Sequence, residues 1–464
     1  MKILLVQPSI TERNVTSFMY PPMGLVALVA YLQKEGHQVS LYDANIEKET
    51  ANEIIDLIKK ESPEIVGFGI MSVNFSKSLA LAKEIKSISK NIVIIAGGVH
   101  PTVEPEQTLK SPYIDFIVRG EGELTTAELL KAIEKKEENL KDIKGLGFKK
   151  NGKIILNPLR DLIQDISALP IPAYNLFNLK KYRAPYASRS PYMIMTRSRG
   201  CPFLCIFCGV GKMFGNRYRV QTPERSIKEV DYLVNQLGIK EIGFKDSEFT
   251  LAPKNVEKFC DLLIEKNYDL SWNCNGRINH ATYPLLSKMK KAGCVSISYG
   301  IESGDQAILD DMKKEITIEQ VREAIKITKA AGLRTIGNFM IGNPNDTKET
   351  IEKTIRFAIE LDLDYANFGF TTPFPGTELR ERAIKNNWIL DERMEAIKYE
   401  DCIMNATSLP TPELKKYLSK AFFSFYFRPS YILKRLLMIN NKDEIYNSVR
   451  GSISIIKDIL RPKK

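Results

Sequence analysis

The stretch Cys201-Pro202-Phe203-Leu204-Cys205-Ile206-Phe207-Cys208 follows the apolar run Tyr192-Met193-Ile194-Met195 and leads into Gly209-Val210-Gly211. Three cysteines separated by three and then two residues can turn their thiolates inward on one tight loop, which suits three corners of a cubane iron-sulfur cluster. The fourth iron is then left without a protein ligand, free to bind a small molecule and give it an electron. A zinc site and three unrelated core cysteines are the other readings. Zinc usually takes a second Cys or His pair at finger-like spacing, and along the chain none of His37, His100 and His280 falls near this loop.

Composition narrows the setting. A chain of 464 residues has room for about two to four domains. Its 44% hydrophobic and 27% charged content is ordinary for a globular protein. No run of about eighteen apolar residues occurs, and Met1-Lys2-Ile3-Leu4-Leu5-Val6-Gln7-Pro8 is too soon broken by proline for a signal peptide, so a cytoplasmic location is expected. Of seven cysteines, four are scattered (Cys260, Cys274, Cys294, Cys402), which argues for a reducing compartment and against a disulfide framework. The net charge of +11 is uneven: residues 411–464 hold twelve Lys and Arg against four Asp and Glu, or +8. No nucleic-acid-binding signature accompanies this tail, so no nucleic acid is expected and a solvated basic helix face is the plainer reading.

Residues 1–145 alternate short apolar runs with helix-period segments. Strands are predicted at 2–6, 38–42, 64–68, 91–95 and 115–118, and helices at 23–34, 77–87 and 125–135. That alternation predicts a parallel, doubly wound, flavodoxin-like sheet whose ligand sits beyond the carboxyl ends of its strands. The loops there are Met71-Ser72-Val73-Asn74, Gly97-Gly98-Val99-His100-Pro101-Thr102 and Arg119-Gly120-Glu121-Gly122-Glu123. Paired glycines after a strand let a flat ligand approach the backbone. The first strand-helix turn lacks G-x-G-x-x-G, which disfavours a nicotinamide cofactor. Residues 145–157 read as a polar hairpin around Asn151-Gly152, and the proline-rich stretch to 190 reads as connecting chain.

After the cysteine loop the alternation resumes. Strands fit at 192–196, 241–245, 270–274, 295–299, 335–341 and 366–370, and Ile351, Ile355 and Ile359 mark a helix behind Asn345-Asp346. Six βα units make a partial barrel, a (β/α)6 relative of the TIM type, with its site at the carboxyl ends of the strands. The architecture expected is α/β: a doubly wound domain over 1–145, hairpin and linker over 146–190, barrel over 191–400 and a short helical region over 401–464.

The cysteine spacing resembles that of the radical SAM superfamily, whose cluster cleaves S-adenosylmethionine to a 5'-deoxyadenosyl radical. The loops around Gly97-Gly98-Val99-His100-Pro101-Thr102 and Gly120-Glu121-Gly122-Glu123, together with Tyr20-Pro21-Pro22-Met23-Gly24-Leu25, resemble those of the large class of such enzymes with a cobalamin-binding domain before the barrel. The resemblance implies a 4Fe-4S cluster on Cys201, Cys205 and Cys208. It implies cobalamin against Gly24, Ser72, Val73, Asn74, Gly97, Gly98, Val99, His100, Glu121, Gly122 and Glu123. Members that ligate cobalt through histidine carry Asp-x-His-x-x-Gly; this chain has no such string, so a cobalt without a histidine ligand is expected. His37 is read as structural and His100 as part of a loop lining the corrin.

For S-adenosylmethionine the resemblance implies Asp246 and Glu248 on the ammonium, in the place where many members carry Gly-Gly-Glu. Arg277 is expected on the carboxylate, Glu302 on the ribose or ammonium, and Phe207 with the backbone around Gly342 on the adenine. The class contains methylases of unactivated carbon and ring-forming enzymes. Radical methylation is the leading expectation, with a cobalamin-dependent cyclase as the alternative and a binding protein with a structural cluster the remote one. The partners expected are a small-molecule or lipid substrate and an electron donor such as flavodoxin or ferredoxin. Ala421-Phe422-Phe423-Ser424-Phe425-Tyr426-Phe427-Arg428 suits packing on the barrel, and as a basic aromatic helix it also suits peripheral contact with an anionic membrane.

Overall fold

The computed structural model describes residues 1–10, 20–47, 51–176, 178–182, 187–397 and 401–438. Strands β1 (Lys2–Gln7), β2 (Gln38–Asp43), β3 (Ile65–Gly69), β4 (Val93–Gly97), β5 (Phe116–Val118), β6 (Leu146–Lys150) and β7 (Lys153–Leu156) form one sheet in the order β2-β1-β3-β4-β5-β6-β7. It is parallel through β5 and antiparallel from β5 to β7. Its parallel part has the doubly wound order expected of alternating strands and helices. Two apolar clusters cover its faces, one around Leu5, Val29 and Leu130, the other around Val6, Phe68 and Ile85.

Two differences from the sequence reading stand out here. The hairpin expected to begin the linker is an integral edge of this sheet, because Phe116 pairs with Phe148 and Gly147 with Leu156. The crossover after β2, left unassigned by pattern, holds the helix Ala51–Glu61, which buries Ile54 and Ile58.

A second sheet is built from β8 (Tyr192–Met195), β11 (Glu241–Phe244), β12 (Ser271–Gly276), β13 (Cys294–Glu302), β14 (Arg334–Ile341) and β15 (Tyr365–Phe370), all parallel, in the order β15-β14-β13-β12-β11-β8. Between β8 and β11 lies a two-stranded antiparallel ribbon, β9 (Ser198–Arg199) with β10 (Arg219–Val220). All four residues of β8 are buried, as fits a parallel strand covered on both faces. The sheet is the six-stranded partial barrel that the sequence predicts. β13 runs to Glu302, with an irregular register at Gly300/Glu302, so Glu302 ends a strand where a loop was expected. The helix Lys348–Glu360 is capped by Thr347, whose hydroxyl accepts from the Thr350 N–H; Asp346, expected as the cap, turns back toward Gly342.

The tail helix Thr411–Tyr426 buries Leu414, Tyr417, Leu418, Ala421 and Phe425 against the barrel, so part of the aromatic run is core. Phe423 and Phe427 stay exposed and stack at 4.8 Å. Much of the basic tail, residues 439–464, lies outside the described residues. Among the described residues no helix is long and apolar enough to cross a membrane.

Candidate active site

The cysteine loop leaves the barrel at the carboxyl end of β8, through β9. Gly200, at φ +84°, makes the turn into it; a Cβ there would strike the Arg217 carbonyl, so only glycine serves. The loop is then strapped at its middle. Ile206 is buried, its N–H donates to the Met312 carbonyl (3.2 Å), and its carbonyl accepts from the Leu379 N–H (2.9 Å). One residue thus ties the loop to the chain beyond β13 and to the chain beyond β15. Cys201, Cys205 and Cys208 are free thiols, the first two half-buried and the third exposed. Burial pushes the Cys201 thiol above its usual pKa, and a metal bound there would have to displace the proton.

Among the described residues no three His, Cys, Asp or Glu side chains are drawn together around the position of a metal ion. The fit to a cluster therefore rests on the donor set, three thiols of one anchored loop. His280, remote in sequence, folds back beside this loop: its ring lies 6.2 Å from that of Phe203 and its Nδ1 3.8 Å from Glu248. The expectation that no histidine lies near the loop holds along the chain and fails in space, because β12 and β8 end at the same rim.

The residues expected to hold S-adenosylmethionine gather at that rim in differing states. Asp246 is buried; one oxygen accepts from the Arg197 N–H (2.9 Å) and the Ser198 hydroxyl, while Oδ2 has no partner. Burial pushes its carboxyl up to about 6 despite those bonds. Glu248 is buried, and one of its oxygens is engaged by the N–H and hydroxyl of Thr250. Arg277 lays its guanidinium 3.5 Å from the Phe203 ring centroid, donates to the Lys314 carbonyl, and leaves Nε without a partner. Glu302, at φ +68°, accepts from Lys314 Nζ at 2.7 Å. Phe207 packs toward Ile308, Met312 and Met340, with the Lys314 ammonium 5.8 Å from its ring. Gly342 turns at φ +83°, its N–H held by Asp346, which also accepts from the Asn343 N–H (2.9 Å). Asp246 Oδ2 and Arg277 Nε, buried and unpartnered among the described residues, are an acceptor and a donor of the kinds that a zwitterionic amino acid needs. Sequence reading missed Lys314 and Phe203, which no local pattern singles out.

The loops of the first sheet divide into two kinds. Among the described residues, nothing lies within 4 Å of a Cβ added at Gly24 or Gly120, and at Gly97 the nearest atom is 3.8 Å away. Val99 is exposed beside them, and Val73 and Gly122 are partly exposed. These form an open cradle suited to a flat ligand. The polar side chains are instead engaged within the protein. Asn74 donates to the Pro8 carbonyl (3.1 Å) and accepts from the Met71 N–H (2.9 Å). His100, expected in a corrin-lining loop, begins the short helix Val99–Val103 and points inward. Its Nδ1 lies 3.1 Å from the Ser72 hydroxyl, its ring 4.0 Å from that of Phe75, and burial lowers its pKa to about 4. His37 is buried beside the amino terminus (3.5 Å) and Glu134 (3.7 Å).

Glu121 and Glu123 turn to the barrel. Glu121 accepts from Arg199 and Arg219 (2.9 Å each) and Glu123 from Arg199 (2.6 Å). Arg199 stands two residues before Cys201. Nearby, helix Val99–Val103 meets helix Val210–Phe214, which directly follows the cysteine loop: Thr102 Oγ1 is 3.7 Å from Met213 Sδ, and a Cβ on Gly376 would lie 2.9 Å from Val103. The glycine-rich loop after β4 and the cysteine loop therefore share one wall.

The comparisons with known proteins agree with this arrangement. Residues 195–358 match the model of the radical SAM superfamily and residues 13–130 that of the B12 binding domain. An uncharacterized methyltransferase of Pyrococcus horikoshii is 40% identical over 94% of both chains. An anaerobic magnesium-protoporphyrin IX monomethyl ester cyclase of Rubrivivax gelatinosus is 28% identical over 94% of this chain and 81% of its own. Among solved structures, the cobalamin-dependent S-adenosylmethionine radical enzyme OxsB, with aqua-cobalamin and S-adenosylmethionine bound, shares the fold. Its TM-score is 0.76 at 18% identity, over 100% of this chain and 73% of that one. With its cysteine loop at the barrel rim and its open glycine cradle against the same wall, the chain belongs to the cobalamin-binding radical SAM enzymes.

Proposed function

We propose that this enzyme transfers a methyl group to an unactivated carbon of a small-molecule substrate, with a 4Fe-4S cluster, S-adenosylmethionine and cobalamin as its cofactors. The observation that carries the reading is the shared wall between the loop after β4 and the helix after Cys208, since it would let a corrin on the first loop lie beside a cluster on the second. When bound, these groups supply radical generation and methyl transfer, chemistry that protein side chains do not provide.

In this reading the chain's residues orient and exclude. Cys201, Cys205 and Cys208 would hold three irons; Asp246 and Arg277 would take the two charges of the methionine moiety; Glu302, fixed by Lys314, would take the ribose hydroxyls. Gly24, Gly97 and Gly120 let the corrin lie on backbone. A bound cobalt would find no histidine offered by these two: His100 is turned onto Ser72 and Phe75, and His37 is engaged at the amino terminus. A flavodoxin or ferredoxin supplies electrons. The similarity to the Rubrivivax cyclase over 94% of this chain supports ring formation as the second reading.

The test uses the full-length protein. Anaerobic reconstitution is expected to yield about four iron per chain, lost when the three loop cysteines become Ala and kept in Cys260→Ala and Cys402→Ala. Cobalt(II) cobalamin is expected to bind with a base-off paramagnetic spectrum that His100→Gln leaves unchanged. Stoichiometric zinc, or nitrogen hyperfine splitting that His100→Gln or His37→Gln removes, would overturn the assignment. Label passing from methyl-labelled S-adenosylmethionine into a product separates methylation from ring formation.

A further inference from the structure

Lys245 follows β11, one residue before Asp246. Alternation along the strand sends Ile242 and Phe244 to the helix side, where Phe244 meets Phe259 and Trp272 at 5.6 and 5.5 Å. Gly243 and Lys245 therefore face the barrel interior. A Cβ on Gly243 would collide with the Tyr192 hydroxyl and lie 3.3 Å from Asn273 Oδ1. The register extends this inner face through Asn273 and Ser296, Asn275 and Ser298, and Asn338 and Asn367.

The wall so formed is polar, where most barrel interiors are packed with branched apolar side chains. Asn275 donates to the Asp246 carbonyl (3.1 Å), Asn338 to the Ser298 hydroxyl (2.9 Å), and Asn367 to Asn338 (2.8 Å). Tyr20, from the first domain, roofs the near end: its ring lies 5.1 Å from Lys245 Nζ and 6.3 Å from the Tyr192 ring.

The cation on this wall is bonded to no carboxylate among the described residues, and Glu241 on the same face bears on it only through space. Arg197 is bonded to Ser226 and Asn255, Arg199 and Arg219 are paired with Glu121 and Glu123, and Lys314 is paired with Glu302. Among the described residues, the Lys245 ammonium has no hydrogen bond and no ion pair, only the face of Tyr20. Glu241, four residues back on the same face of β11, is engaged by Ser188, Arg189 and Asn273. Burial accordingly lowers the Lys245 pKa. A half-buried ammonium on a polar wall, bonded to no carboxylate, is placed to take the charge of a ligand.

We propose that Lys245 receives an acidic group of the substrate, a carboxylate or phosphate, and that the Asn275-Ser298-Asn338-Asn367 wall holds the polar groups beside it. The inference rests on the proposed function and names its substrate class: a small polar anion that enters under Tyr20, next to the S-adenosylmethionine residues. A lysine serves here as a compact point charge that carboxylate and phosphate can both meet.

The experiment uses the reconstituted full-length holoenzyme and an acid-soluble metabolite extract of host cells, split by anion exchange into retained and unretained pools. The readouts are 5'-deoxyadenosine formed and the charge of any product labelled from S-adenosylmethionine. The retained pool is expected to stimulate, and its labelled product to be retained again. Lys245→Met is expected to raise the half-stimulating amount about tenfold and Lys245→Arg to raise it less, both with iron and cobalamin content intact. Stimulation by the unretained pool alone, or wild-type response in Lys245→Met, would overturn the proposal. So would an about tenfold rise in the KM for S-adenosylmethionine in Lys245→Met, which would assign the cation to the methionine carboxylate. Absence of 5'-deoxyadenosine under every condition would instead sink the parent reading, and this one with it.

Discussion

The two oxygens of Asp246 differ: Oδ1 closes the turn at Arg197 and Ser198, and Oδ2 is buried with no partner among the described residues. Its folded pKa of about 6 lies above the ordinary 3.8, so its contribution to stability is complete below pH 3.8 and is lost as pH rises through about 6. The groups that bear on it are Arg197, Ser198 and Tyr218. Asp246→Asn removes that dependence, and the apo variant is expected to gain on wild type by up to ~3 kcal/mol between pH 4 and 7, read from urea midpoints. Ligand affinity runs the opposite way. An ammonium pairs with the carboxylate alone, so S-adenosylmethionine binding to wild type is expected to strengthen from pH 5 to 7 and level off. In Asp246→Asn it should be about tenfold weaker and flat with pH, as calorimetry would register.

Two glycines separate the shape of the cradle from its support. Gly98 sits at φ +104°, and a Cβ there would stand 2.8 Å from the Ile70 carbonyl. The tight fit seats helix Val99–Val103 against the end of β3, where the His100 N–H donates to the same carbonyl (3.1 Å). Gly98→Ala is expected to destabilise the fold by ~1–3 kcal/mol and to weaken cobalamin binding through the displaced loop. Gly24 differs: it lies in the first turn of helix Met23–Lys34, and among the described residues nothing comes within 4 Å of an added Cβ. Gly24→Ala should leave thermal stability unchanged or slightly raised while still weakening cobalamin, because the methyl group enters the open cradle. Equal cobalamin affinity in Gly24→Ala and wild type, by absorbance titration, would remove that glycine from the site.

Across the whole molecule, the Gly-Glu-Gly-Glu loop locks the two sheets together. Burial alone would raise the Glu121 carboxyl, but the bonds from Arg219 and Arg199 outweigh it and hold it below its ordinary 4.5. The latch therefore contributes in full above pH 4.5, and that contribution is lost as pH falls from there through the lowered pKa of folded Glu121. Arg219 is itself buried and also holds the Ile163 carbonyl (2.7 Å). Arg219→Met leaves part of a buried charge uncompensated, with an expected loss of ~3 kcal/mol. Calorimetry should then show two separated unfolding transitions where wild type shows one. A single, unshifted transition would mean that the other contacts, such as the Tyr182 hydroxyl on Asp43 (3.0 Å), suffice.

What the sequence by itself determined lies in short-range pattern: the cysteine spacing, the period that alternates strand with helix, and glycines after strands. These are local because thiol spacing, helix periodicity and left-handed turns are set by neighbours a few residues away. From them the parallel sheets, the partial barrel and the cysteine loop at its rim could be read. Tertiary structure alone decided which polar side chains face a ligand. Glu121 and Glu123 look like cradle residues until Arg199 and Arg219, some eighty to a hundred positions on, claim them. His100 sits in a glycine-rich loop, yet Phe75 and Ser72 draw it inward; His280 is far from the cysteines in sequence and beside Phe203 in space. Lys245 reads as one more charge on a strand end, and only the assembled barrel shows that, among the described residues, no carboxylate is bonded to it. Charge pairing and burial depend on which distant elements meet, and no window of sequence holds both halves of such a contact.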